Sequence, residues 1–243
     1  MMAGSTFKQF TVCLTFGEGI RKMKVKGLIS WARKRALATA YWAIRRFQKK
    51  RWKDGRFNDA IHAVVKVADG WLSVTEPKAV IEELNLKPGH KYVFCEYTHI
   101  DDCEAAPGAA QAANQLARAI EGTDYDEGQL LSILVRAQNW IPNTNFTGLF
   151  RGGFRTWFAR RLDMGSKKRV CSSGVAAILV KLWKASYLLN GKAPRPLGGK
   201  DHQLIHIEDA APSDFANHPT FKVVAVLDEQ GRWTEYEADT SLS

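Results

Sequence analysis

Cysteine is scarce in this chain, and its copies lack the spacing that a metal site or a disulfide framework needs. The 243 residues contain four cysteines, Cys13, Cys95, Cys103 and Cys171. No C-x-x-C pair occurs and the intervals are irregular, which argues against a zinc ribbon and against a disulfide scaffold. Free thiols in a reducing compartment are therefore expected, and neither a metal nor a cofactor is predicted.

Long uncharged apolar runs are also missing. The first twenty residues contain Lys8 and Glu18 and lack the continuous apolar core of a signal peptide. No stretch of transmembrane length is free of charge. We expect a soluble chain without a signal peptide, cytoplasmic when made, which reaches an extracellular target only by delivery, for example as part of a virion.

Acidic residues are nearly absent from residues 21–56, where fourteen Lys or Arg accompany one acid, Asp54. These residues carry a net charge of +13, whereas the whole chain carries +10, so the rest of the chain is slightly acidic and the basicity belongs to this segment. Two interpretations are equally good: a solvated basic helix, or a contact for a polyanion such as a cell-wall glycan or teichoic-acid layer, an anionic bilayer or nucleic acid. The candidate contacts are Arg33, Lys34, Arg35, Arg45, Arg46, Lys49, Lys50 and Arg51.

The order of strand and helix patterns indicates one α+β domain over residues 1–243, with a basic helical insertion at about 21–56. Strand patterns cover residues 7–16, 60–67, 71–75, 91–97, 221–227 and 232–236. Helical patterns cover residues 27–52, 77–84, 104–121, 125–138, 154–162 and 171–189. Asp69-Gly70 is a hairpin signal between the second and third strand patterns.

Cys171 begins the strongest helical pattern in the chain, just after the basic tripeptide Lys167-Lys168-Arg169, and is followed by the small residues Ser172 and Ser173. Unpaired N–H groups and the macrodipole at a helix N-terminus favour a thiolate there. An unpaired cysteine is also among the most buried residue types, so packing alone is the competing interpretation. Nucleophilic catalysis therefore requires a base supplied from elsewhere in the chain.

His62 is the best-placed histidine for that role, because it lies in a β-branched strand that can project it onto a neighbouring helix N-terminus. Across the hairpin, residues 73–76 come opposite residues 62–66, so the carboxylate of Glu76 can reach the imidazole. A cysteine, a base and a group that orients the base form the usual catalytic set for acyl transfer.

The order of these motifs resembles one enzyme family. The segments are Ile61-His62-Ala63-Val64-Val65, Val74-Thr75-Glu76-Pro77, Tyr125-Asp126, Val170-Cys171-Ser172-Ser173 and Ala211-Pro212-Ser213-Asp214. In this order they resemble the circularly permuted NlpC-like branch of the papain-like cysteine hydrolases. The resemblance spans roughly residues 7–227.

The resemblance implies a papain-like fold in which a small antiparallel sheet packs against the helix that carries the nucleophile. It implies Cys171 as nucleophile, His62 as general base and Glu76 as the group that orients the imidazole. The oxyanion would be stabilised by backbone N–H groups at the helix start, with Ser172 as a supporting or capping residue.

Three functions follow from these features. The first is a cysteine-dependent amidase or peptidase acting on peptidoglycan stem peptides and carried by a bacteriophage. The second is a lipid-directed acyltransferase or hydrolase, because the same branch includes lecithin–retinol acyltransferase-like enzymes. The third is a non-enzymatic virion or nucleic-acid-binding protein that uses the basic segment.

Overall fold

Strands rich in β-branched and aromatic residues form the main part of the fold. The structure is a computed structural model, and it describes residues 7–16, 39, 42, 44–74, 78–124, 170–191, 193–198 and 204–236. The strands are β1 Val12–Phe16, β2 Ala60–Val67, β3 Gly70–Val74, β4 Ala79–Glu82, β5 Tyr92–Tyr97, β6 Phe221–Leu227 and β7 Trp233–Glu235. The helices are α1 (residues 44–51), α2 Ile100–Glu104, α3 Ala109–Ile120, α4 Cys171–Asn190 and α5 Asp214–Asn217, and Ile207–Asp209 forms a 3₁₀ turn.

The strands belong to one sheet in the order β4-β3-β2-β1-β5-β6-β7. Each neighbouring pair is antiparallel. The predicted α+β class and antiparallel sheet are therefore confirmed, and the sheet of seven strands is larger than the small one that was expected. The chain segment between the adjacent strands β5 and β6 contains α2 to α5, so most of the helical residues that the structure describes lie in this one long connection.

The hairpin predicted at Asp69-Gly70 is confirmed. Val67 pairs with Gly70 and Val64 pairs with Ser73, which fixes the register of β2 against β3. Gly70 has a φ of 147°, and a Cβ there would lie 2.9 Å from the carbonyl oxygen of Glu82. Glycine is therefore required at the turn, both for its backbone conformation and for space.

The predicted helix over residues 77–84 is wrong, because Ala79–Glu82 is instead the edge strand β4. Val74 pairs with Ala79, so the chain folds straight back along β3. Val80 and Ile81 are β-branched and fit a pleated surface, and pairing with β3 overrides a weak and short helical pattern.

The predicted helix over residues 104–121 is split by Gly108, which has a φ of 77° and precedes α3.

The alternation of β2 assigns its side chains to two faces of the sheet. Ala63, Val65 and Val67 share a core with Val175 and Ile178 of α4. Val64 belongs instead to a second cluster with Trp71 and Phe94 on the opposite face. Because successive strand residues point to opposite faces, His62, Val64 and Lys66 face away from α4. A register shift between Thr15 and Phe16 of β1 returns Ala60 to the core on the α4 side.

Helix α4 is the central helix of this architecture and confirms the prediction for residues 171–189. Residues 171–180 are all buried, and α3 packs on α4 through a stripe of small residues, Ala109, Ala113 and Ala117. Gly191, with a φ of 63°, ends the helix.

The predicted helices over residues 125–138 and 154–162 lie outside the described residues. Among the helices that the structure does describe, none has the length and apolarity to cross a bilayer.

Candidate active site

Cys171 is the first residue of α4, as predicted, and the helix start is held by the serine two positions later. Val170 is extended, with φ −95° and ψ 168°. Ser173 Oγ accepts a hydrogen bond from the Val170 N–H at 3.1 Å and lies 3.1 Å from the Val170 carbonyl oxygen, to which it can donate. The capping side chain is therefore Ser173, and the position of Cys171 at the first turn is fixed by local bonds.

The Cys171 thiol is nearly enclosed, with 5% of the residue exposed. Burial raises its pKa above the ordinary value, while hydrogen bonds from the backbone N–H groups of Ala63 and Ser172 act in the opposite direction. The thiol is therefore protonated at neutral pH, and the two N–H groups are positioned to stabilise a thiolate once a proton is removed.

Ser172 supports this helix start through a bond to the neighbouring turn. Its buried hydroxyl donates to the Ala210 carbonyl oxygen at 2.6 Å. Hydrogen bonding by the same hydroxyl also acts to lower the pKa of Cys171, so Ser172 contacts both the turn and the nucleophile. The oxyanion-supporting role of Ser172 stays a prediction, whereas the side chain that caps the helix start is that of Ser173.

His62 lies in β2 next to Ala63, but its imidazole ring bonds to Ser73 and not to Cys171. Nε2 of His62 lies 3.0 Å from Ser73 Oγ. Burial lowers the pKa of His62 to about 4, so the imidazole is neutral at pH 7. Cys171 and His62 are therefore a neutral thiol and a neutral imidazole, without a preformed ion pair.

The sheet register places the His62 side chain on the face of Val64 and Ser73, away from α4. Within the described part of the chain, no hydrogen bond joins His62 to Cys171. The expectation that His62 projects onto the helix N-terminus is corrected in this respect: the backbone of β2 reaches Cys171, whereas the imidazole is held by Ser73. Glu76 lies outside the described residues, and the predicted contact between Glu76 and His62 stays a prediction.

A fully buried carboxylate, Asp214, holds the turn that Ser172 touches. Its oxygens accept hydrogen bonds from Arg51 Nη1 at 2.5 Å, Trp52 Nε1 at 2.6 Å and the Ala211 N–H at 2.7 Å. Burial raises the pKa of Asp214, and Arg51 acts in the opposite direction. Sequence reasoning recognised the Pro212-Ser213-Asp214 turn as a motif but not this partnership.

The basic segment is amphipathic where the structure describes it. Gln48 is fully buried, and Arg51 points inward to Asp214, so Arg51 is removed from the set of predicted polyanion contacts. Arg46, Lys49 and Lys50 are exposed, Arg45 is half-buried, and Arg46 stacks on the half-exposed ring of Trp42. Arg33, Lys34 and Arg35 lie outside the described residues.

Comparisons of this chain with protein-family models, with curated proteins and with solved structures give no match.

Proposed function

We propose that this protein is a cysteine-dependent acyl hydrolase with a papain-like arrangement, in which Cys171 is the nucleophile and His62 the general base. One observation carries the proposal: Cys171 is the first residue of a long buried helix, at the end where unpaired backbone N–H groups favour a thiolate. Hydrogen bonding by the N–H groups of Ser172 and of Ala63 in β2 acts in the same direction on the pKa of Cys171. These donors stabilise negative charge on sulfur and converge from two separate elements. The ordered resemblance to permuted NlpC-like enzymes supports the same assignment.

The reaction proceeds by acyl transfer. His62 removes the thiol proton as Cys171 attacks the carbonyl carbon of an amide, and the tetrahedral oxyanion is stabilised by backbone N–H groups at the start of α4. The imidazolium returns the proton to the leaving amine, which gives a thioester on Cys171. His62 then takes a proton from water, which attacks the thioester and releases a carboxylic acid and the free thiol.

This mechanism requires the imidazole to exchange its bond to Ser73 for a contact with Cys171 when substrate binds. Catalytic hydrogen bonds are often incomplete without substrate. Exchange of the neutral hydrogen bond alone costs about 1 kcal/mol. The imidazole must also move from the Ser73 face of the sheet to the side of Cys171, so the mechanism further requires a rearrangement at the start of β2. The proposed orienting role of Glu76 applies to this exchanged state.

Peptidoglycan stem peptides are the proposed substrate, because the NlpC-like families that the chain resembles centre on that substrate. A bacteriophage-borne role is proposed together with it. Lipid-directed acyl chemistry is the alternative within the same fold. The two differ in the bond that is cleaved, so peptidoglycan and ester lipids tested side by side distinguish them.

Active-site labelling tests the proposed nucleophile and base. Wild type, Cys171→Ala and His62→Ala are treated with iodoacetamide at neutral pH, and the labelled cysteine is identified by mass spectrometry. We expect Cys171 to react ahead of Cys13, Cys95 and Cys103 and this preference to collapse in His62→Ala. Equal slow reaction of all four thiols in the wild type would contradict the proposal.

A second candidate function is contact with a polyanion, with or without catalysis. The exposed side of α1 supports it, since Arg46, Lys49 and Lys50 occur at spacings of three and four residues that place them on one helix face beside Trp42. A cationic row next to an aromatic ring suits an anionic polymer. Binding of an anionic polymer that weakens as salt is added, and that is equal in wild type and Cys171→Ala, would support this function.

A further inference from the structure

The side-chain amide of Gln48 connects three separate parts of the chain from a fully buried position on α1. Its Nε2 group donates to the carbonyl oxygens of Asn58 at 3.0 Å and Ala60 at 2.8 Å. Its Oε1 accepts from the Ser213 N–H at 2.6 Å. Every strong hydrogen-bonding direction of the amide but one is used, and each partner is a backbone atom.

The first of these contacts holds the beginning of β2. Ala60 is the first residue of β2, and Ala63, three residues later, presents its N–H to the Cys171 sulfur. A bond at Ala60 therefore sets the position of the strand at the point where it approaches the nucleophile.

The second contact holds the turn that touches α4. Ser213 belongs to the same turn as Ala210, which accepts the hydrogen bond from Ser172 beside the nucleophile. Asp214 further fixes this turn to α1 through Arg51 and Trp52. Starting at Cys171, the contacts run through Ser172, the turn, Gln48 and β2, and return to the Cys171 sulfur through the N–H of Ala63.

We infer that Gln48 is a positioning residue of the candidate active site, which sets the distance between the Ala63 N–H and the Cys171 sulfur. The inference rests on the proposed function, because it concerns the ionisation of the nucleophile. Gln48 does not touch the sulfur, and it acts by holding the two elements that do. Without its amide, the starts of β2 and α4 lose their shared anchor and the thiolate loses a donor.

The test compares two amide side chains that each join separate elements. Gln48→Met removes the anchor at similar volume. Asn114→Leu is the matched control, because the Asn114 amide bonds to Gln9, Ala110 and Ala68, which follows the opposite end of β2 from Ala60. For wild type and both variants, the alkylation rate of Cys171 by iodoacetamide is measured against pH, and the exchange of the Ala63 amide proton is followed by NMR.

We expect Gln48→Met to alkylate Cys171 about tenfold more slowly at pH 7, with the inflection of the pH profile moved to higher pH, because a hydrogen bond to a charged group is removed. Exchange of the Ala63 amide proton should be faster in the same variant. Asn114→Leu should stay within about twofold of the wild type in both measurements, even if it unfolds more easily. If Gln48→Met does not fold, Gln48→Glu replaces it, since it keeps the acceptor for Ser213 and removes the donors to β2.

The outcomes separate this inference from the proposed function. A reactive Cys171 with an unchanged pH profile and unchanged Ala63 exchange in the Gln48 variant overturns the positioning role and leaves the proposed nucleophile intact. An unreactive Cys171 in the wild type overturns the proposed function, and the positioning role falls with it. Equal changes in the Gln48 and Asn114 variants show a general loss of stability and also overturn the positioning role.

Discussion

Nε2 of His62 and Oγ of Ser73 lie 3.0 Å apart on one face of the β2–β3 hairpin, and this bond holds the imidazole away from the helix that carries Cys171. The two residues are diagonal neighbours across the strands, because Ser73 pairs with Val64. Ser73 is thus the group that competes with Cys171 for the imidazole, and its removal has a defined consequence.

Substitution Ser73→Ala removes the hydrogen bond that holds the imidazole on the sheet face away from α4. We expect Cys171 labelling in this variant to be equal to the wild type or up to about fivefold faster, because about 1 kcal/mol of hydrogen bonding no longer opposes the exchange. Ser186→Ala is the matched control, since Ser186 is a buried serine at the other end of α4 that bonds to Cys103. Labelling as slow as in His62→Ala would show that Ser73 orients the imidazole rather than restrains it.

The lowered pKa of His62 predicts a specific loss of stability in mild acid. The unfolded chain binds a proton at His62 below about pH 6.5, whereas the folded chain excludes it until about pH 4. The unfolded state thus holds more protons in this window, and the free energy of unfolding falls as the pH falls through it, by up to about 3 kcal/mol. The free energy of unfolding in urea is measured for wild type and His62→Gln between pH 7 and pH 4.5, and the difference between the two proteins gives the contribution of His62. Identical pH dependence in both proteins would contradict this prediction.

Asp214 is expected to be the most costly carboxylate to remove among those described. Asp214→Ala leaves the Arg51 guanidinium enclosed without its partner, and we expect a loss of about 3–5 kcal/mol in the free energy of unfolding. Asp101→Ala is the control, because Asp101 and Lys8 form an exposed pair whose removal should cost less than about 1 kcal/mol. Chemical denaturation compares the two variants, and equal small losses would contradict the structural role of Asp214.

The exposed face of α1 predicts salt-dependent contact with an anionic polymer. The double variant Arg46→Glu and Lys49→Glu should weaken binding to a single-stranded oligonucleotide probe and should reduce the slope of binding against salt by about one for each phosphate that is no longer neutralised. The control variant Lys181→Glu and Lys184→Glu makes the same change of charge on α4. Equal weakening in both double variants would indicate an effect of net charge alone and would remove α1 as a specific binding surface.

Local patterns predicted the elements that position the site. The apolar run from Cys171 and the β-branched strand that carries His62 fold as expected, because each pattern is long enough to determine its own structure. The turn at Asp69-Gly70 also predicts the register, which brings Ser73 near His62. The helix predicted over residues 77–84 is wrong, since a pattern of only two helical turns gives too little periodicity to separate helix from strand.

Long-range bonds could not be predicted in the same way. Gln48 and Ser213 are 165 residues apart in sequence, and Arg51 is 163 residues from Asp214. Nothing in a basic helical pattern distinguishes the inward-facing Arg51 from its exposed neighbours. The face on which His62 lies was also missed, because alternation defines two faces but only the packing of α4 shows which one it covers.

The central claim is that Cys171 forms and hydrolyses an acyl-enzyme on an amide substrate. Its most direct test is the release of new amino groups from purified peptidoglycan by wild type and by Cys171→Ala, together with a search for an acyl adduct on Cys171 by mass spectrometry. We expect amine release by the wild type, an adduct on Cys171 early in the reaction, and loss of both in Cys171→Ala. Undiminished amine release by Cys171→Ala would contradict the assignment of Cys171 as the nucleophile.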